Sequence, residues 1–205
     1  MSKSPSFGDS IEEDDEFLKA VGLIAVRASA MESTLCLFAS DLLGRGDKEI
    51  GKAKIVGKRF SEIADLFEKE LDTSLAAEPN WTTVWQPSMK KTVKTMKAAY
   101  ELRNGVLHAS FTPQVKLNEV EGERFGSRWR IVSVSSERVE GWSGARHRRE
   151  LGFWSERFTL ADLRAISDEI RKSDIAFFEL IRALTVAFEG TFPNLARAMF
   201  SREWD

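Results

Sequence analysis

The amino-acid sequence predicts a mainly α protein, a helical bundle with a small antiparallel β insertion between a motif-bearing helix and the last long helix. Three observations predict it. Long stretches repeat apolar residues in alternating steps of four and three, residues 112–158 switch to a period of two, and Gly or Pro mark the joins.

The first helix carries Phe17, Val21, Ile24, Ala28, Met31, Leu35, Phe38 and Leu42 on one stripe, and Gly44 and Gly46 supply its stop. A lysine-rich connector follows. Phe60, Ala64, Phe67 and Leu71 then give a second, shorter helix, and Pro79 and Pro87 bracket a Trp-bearing connector. The third helix, over 88–108, places Met89, Val93, Met96, Tyr100, Arg103 and Leu107 in the same rhythm. An arginine on an apolar stripe calls for a reason.

Val115 and Leu117, then Trp129, Ile131 and Ser133 against Arg130, Val132 and Val134, then Leu151 and Phe153, read as two or three antiparallel strands. Thr159 and Asp162 have the spacing of a capping box, which opens a last long helix through Leu163, Ile166, Ile170, Phe177, Leu180, Leu184 and Phe188. A short helix over 194–201 closes the chain. The whole is expected to be one domain over 1–205, with a flexible polar and acidic tail at 1–12 and the β-rich insertion at 112–158.

Composition narrows the function. The chain has 205 residues with 30 basic and 32 acidic side chains, a net charge of -2, so any nucleic-acid contact must be local. Cys36 is its one cysteine, which excludes an internal disulfide or a Cys-based zinc site and fits a reducing, cytoplasmic compartment. The opening MSKSPSFGDS lacks the apolar core of a secretory signal, while Arg27 and Glu179 interrupt the longest apolar runs, so no membrane association is expected.

Several motifs are weighed and set aside. Gly46, Gly51 and Lys52 copy the spacing of a phosphate-binding loop, yet Ala53 stands where a Ser or Thr would hold magnesium. The stretch also follows a helix rather than a buried strand. With two histidines and no HExxH pair, the expectation is no metal and no cofactor.

The segment from Glu101 to Phe111 concentrates chemistry at the end of the third helix: Arg103, Asn104 and, five positions after the arginine, His108. Asn104 and His108, four apart, share a face. Arg103 and His108 diverge by about 140° on an ideal helix, so either the helix end distorts or a second copy contributes.

This arrangement resembles the HEPN superfamily, helical-bundle proteins marked by Arg, often then Asn, and His four to six residues beyond Arg. The order of elements is also similar, including the Phe158, Thr159, Leu160 phrase ahead of the last helix. The resemblance implies a metal-independent endoribonuclease, acting as a toxin or antiviral-defence effector, whose site forms at a homodimer interface. His108 would exchange protons with the ribose 2′-hydroxyl or the leaving 5′-oxygen. Arg103 would hold the scissile phosphate, and Asn104 would orient it or the imidazole. A protein inhibitor or antitoxin is an expected partner. Some relatives have Tyr two residues after His, where this chain has Ser110; Gly105 inside the motif loosens the helix end.

RNA contact is expected at Arg146, Arg148 and Arg149, the densest basic cluster of the β region, where Trp129, Trp142 and Trp154 are interleaved. Two other readings stay open: a non-catalytic dimer of the same fold that binds RNA, a nucleotide or a protein, and a plain interaction module in which Arg103 pairs with a nearby carboxylate such as Glu101 and His108 serves the helix end.

Overall fold

A computed structural model of the chain describes residues 15–108, 110–125, 128–148, 152–194 and 196, with the backbone alone over 110–157. The described residues are mainly helical. The tail at 1–12 and most of the short helix expected at 194–201 lie outside them.

Helix α1, Asp15–Gly44, buries Phe17, Ile24, Ala28, Met31, Leu35, Phe38 and Leu42 as its spacing requires, and Val21 is half-buried. It ends because Arg45 and Gly46 take positive φ, 50° and 90°, the left-handed turn that stops a helix. By length and apolar composition α1 could cross a bilayer, with mean hydropathy 1.5 over its most apolar stretch, although Arg27 interrupts it.

The lysine-rich connector proves to hold a helix. Asp47 accepts from the backbone N–H of Glu49 at 3.0 Å and of Ile50 at 3.1 Å, and so caps α2, Lys48–Ile55. Only Gly51 and Ile55 of α2 are buried, too few apolar positions to register as a period. Helix α3, Phe60–Ser74, begins where Glu62 reaches back to the Arg59 N–H, and it buries Phe60, Ile63, Ala64, Phe67 and Leu71.

The Trp-bearing connector is also partly helical. Trp81–Trp85 form a π-helical turn whose first indole is buried and donates to Asp72 Oδ1 at 3.1 Å, and the turn runs into α4, Gln86–Leu107. Pro87 starts that helix rather than delaying it, since an N–H in the first turn has no partner to lose. The buried face of α4 is Met89, Val93, Met96, Ala99 and Val106, with Tyr100, Arg103 and Leu107 half-buried at its edge. A straight helix drifts against a seven-residue repeat by about 20° each time, which moves Arg103 off the centre of the stripe.

Strands β1, Ser110–Phe125, β2, Arg128–Arg148, and β3, Gly152–Phe158, pair antiparallel in the order β1-β2-β3. Ser110 lies opposite Ala145 and Phe125 opposite Arg128, with register shifts between. Pro113 is tolerated because β1 is an edge strand. Helix α5, Leu160–Ala187, opens on the capping box: Asp162 N–H donates to Thr159 Oγ1 at 3.1 Å and Thr159 N–H to Asp162 Oδ2 at 2.8 Å.

The chain falls into two compact units, one of Met1–Leu23 with Gly105–Ala165, the other of Ile24–Asn104 with Ile166–Asp205. In the first, Phe17, Ala20, Val106, Phe158 and Leu163 are buried and Arg164 pairs with Glu16 at 2.8 Å. The second centres on an aromatic cluster: Phe177 meets Phe38 at 5.9 Å and Phe67 at 5.5 Å, edge to face, and Phe192 lies 6.1 Å from Phe67. Each of these rings contributes roughly 1.5–3 kcal/mol by leaving water.

Candidate functional site

The second unit holds Arg103 and Asn104 on the last turn and a half of α4. Arg103 Nη1 donates to Asn104 Oδ1 at 2.9 Å, and Asn104 Nδ2 reaches Glu101 Oε1 at 3.4 Å. The asparagine therefore faces its carbonyl oxygen to the guanidinium and its amide nitrogen to a carboxylate.

Beneath the guanidinium lies Tyr100, one turn back on α4, with the Arg103 Cζ 5.1 Å from the ring centroid. A cation over an aromatic face is held without being neutralised. Tyr100 is itself pinned from two sides. Phe60 stacks on it at 4.1 Å with the rings 2° from parallel, and its hydroxyl donates to Glu32 Oε2 of α1 at 2.9 Å. Burial, then the bond to Glu32, push the phenol above its ordinary pKa, against the opposing pull of Arg103.

Arg103 is half-buried, and its Nε is sealed from solvent with no acceptor among the described residues. No carboxylate among the described residues stands within ion-pair range of it, so the expected alternative of an Arg103–Glu101 pair is not found there. A buried N–H without a partner costs on the order of 1–3 kcal/mol. A guanidinium that meets no carboxylate among the described residues keeps its full charge for an anion.

His108 belongs to the first unit, in the turn that follows α4, where its side chain is exposed and has no hydrogen-bond partner among the described residues. Arg103 and Asn104 are thus brought together, and His108 is presented to solvent. Arg146 and Arg148 close β2 and are described by backbone alone, and Arg149 lies outside the described residues. Among the described residues no group of three or more His, Cys, Asp and Glu is placed to hold a metal ion.

Two residues of the site escape the sequence reading. Tyr100 reads there as one more core position, although a lone tyrosine three residues before an arginine on a helix is a cation–π spacing. Glu32 gives no signal at all, since its partner is 68 residues away.

Comparisons of the chain with family models, with curated proteins and with solved structures return no match.

Proposed function

We propose that this chain is a metal-independent endoribonuclease of the HEPN kind that works as a homodimer, with a role as a toxin or antiviral-defence effector in the cytoplasm. One observation carries the reading: the sequence motif that requires a phosphate-holding arginine falls on a guanidinium that is half-buried, stacked on Tyr100 and unneutralised by any described carboxylate.

In this reading two copies pool their Arg103, Asn104 and His108 around one RNA phosphate. One His108 takes the proton of the ribose 2′-hydroxyl as its oxygen bonds to phosphorus. The bond from phosphorus to the 5′-oxygen breaks, and the other His108 protonates that oxygen. Arg103 offsets the charge that builds on the phosphate oxygens, with Asn104 holding its Nη1 in line. The products are a 2′,3′-cyclic phosphate and a 5′-hydroxyl, so DNA is not cut.

Arg146, Arg148 and Arg149 are proposed to contact RNA away from the reacting phosphate, and a protein antitoxin would act by covering the shared cleft.

The test is direct. The purified chain should sediment as a dimer and cut single-stranded RNA in excess EDTA, and His108→Ala and Arg103→Ala should each abolish cutting while the dimer persists. RNA binding without cleavage in the parent would favour the non-catalytic module instead.

A further inference from the structure

The second unit contains a crevice that the nuclease reading leaves unused. It exists because α2 is pressed onto α1 at one point. A Cβ on Gly51 would stand 1.9 Å from the Ser40 carbonyl oxygen, and one on Gly44 would stand 2.9 Å from Gly51 N, so backbone meets backbone there and only glycine fits. Beside that contact the helices leave a space of about 600 Å³, a size suited to a small organic molecule.

The walls of this space are Cys36, Leu37 and Phe38 of α1 and Ile55 of α2, and its rim carries Lys48 and Lys52, four apart on one face of α2. Its polar end is closed: Asp41 accepts from Asn194 N at 3.1 Å and from Asn194 Nδ2 at 2.7 Å. Burial, followed by the nearby Glu32 carboxylate, pushes the Cys36 thiol up, which makes it wall rather than nucleophile.

Charge decides what the space would take. From residue 45 to residue 59 the chain carries Arg45, Lys48, Lys52, Lys54, Lys58 and Arg59 against Asp47 and Glu49, a basic segment in a chain of net charge -2. Lys48 has no acceptor among the described residues. Among the described residues Lys52 meets only Glu49, at 2.9 Å, and both side chains are mostly exposed, so a ligand anion can displace that pair. The apolar wall is aliphatic in character: Phe38 is 1% exposed and offers no ring for a nucleobase, whereas Leu37 is 58% exposed.

We infer that the crevice between α1 and α2 binds an amphipathic carboxylate, its acyl chain along Leu37, Cys36 and Ile55 and its anionic end on Lys48 and Lys52. The inference stands apart from the nuclease reading, since Arg103, Asn104 and His108 take no part.

Calorimetric titration of the full chain with decanoate tests it, with acetate, decyltrimethylammonium and uridine monophosphate as comparators. Decanoate should bind with Kd below about 1 mM, and acetate and the cationic amphiphile at least about tenfold more weakly. Lys48→Glu with Lys52→Glu should weaken decanoate by about tenfold or more while leaving Tm unchanged, and Leu37→Glu should do the same from the apolar side. Equal binding of decanoate and the cation, indifference to the lysine variants, binding of the nucleotide in place of decanoate, or no heat up to about 5 mM would each overturn it.

Discussion

Two arginines sit half-buried on apolar helices of the same unit, and the fold treats them differently. Arg27 of α1 donates to Asp168 Oδ1 at 2.7 Å and to Ser167 Oγ at 3.0 Å, both on α5. Arg103 of α4 has a neutral amide and the face of a ring, and its Nε has no acceptor among the described residues. Among the described residues the first charge is answered by a carboxylate and the second by none. A half-buried guanidinium without a carboxylate carries a desolvation cost that only an anion would offset.

Cleavage rate should separate the two most sharply. Arg103→Ala is expected to lower cleavage by about 10²–10³-fold, the usual loss for a group that stabilises charge developing in a transition state. Arg27→Ala should leave the rate within about twofold and lower stability by about 1 kcal/mol, a drop of roughly 2–4 °C in Tm, because Asp168 is largely exposed and the pair is partly screened. Arg103→Ala should move Tm by less than that, since it also removes an unsatisfied donor. If the two variants exchange these roles, the contrast is broken.

The platform under Arg103 sharpens the same contrast at a smaller scale. Tyr100→Leu removes the ring and should cost about tenfold in cleavage rate, whereas Tyr100→Phe keeps the ring, loses only the bond to Glu32, and should cost less. Equal effects of the two would mean that the hydroxyl, not the ring, positions the guanidinium.

A carboxylate on α5 shows the contrast with the sign reversed. Asp168 is paired, but Asp174 has a buried Oδ1 with no partner among the described residues, and burial pushes its pKa above the ordinary carboxylate value against a smaller opposing effect of Thr34. The folded state therefore favours the protonated acid: its contribution is complete below the ordinary carboxylate range and is lost as pH rises through the raised value. Asp174→Asn should raise Tm by about 1–2 °C at pH 7 and by nothing near pH 3, read by thermal denaturation at both.

What the sequence shows and what it hides follow the range of the forces involved. The stripe of α1 is legible because burial repeats every three or four residues, and the capping box of α5 because its partners are three apart. Helix α2 reads as a connector, since the fact that makes it pack, Gly51 against the Ser40 carbonyl, is a contact between distant backbones that no periodicity records. In the site, Arg103 and Asn104 stand out by composition and spacing. The Glu32 bond to Tyr100 does not, and Arg27 reads merely as a break in an apolar run because Asp168 lies 141 residues further on.

The central claim is that RNA supplies its own nucleophile at a site built on Arg103 and His108. It is tested by giving the purified chain, in excess EDTA, a DNA oligonucleotide that contains a single ribose, and weighing the products by mass spectrometry. One cut is expected, immediately 3′ of the ribose, leaving a 2′,3′-cyclic phosphate and a 5′-hydroxyl. Cleavage of the all-DNA strand, a 5′-phosphate on the downstream fragment, or activity that appears only with added divalent metal would contradict it.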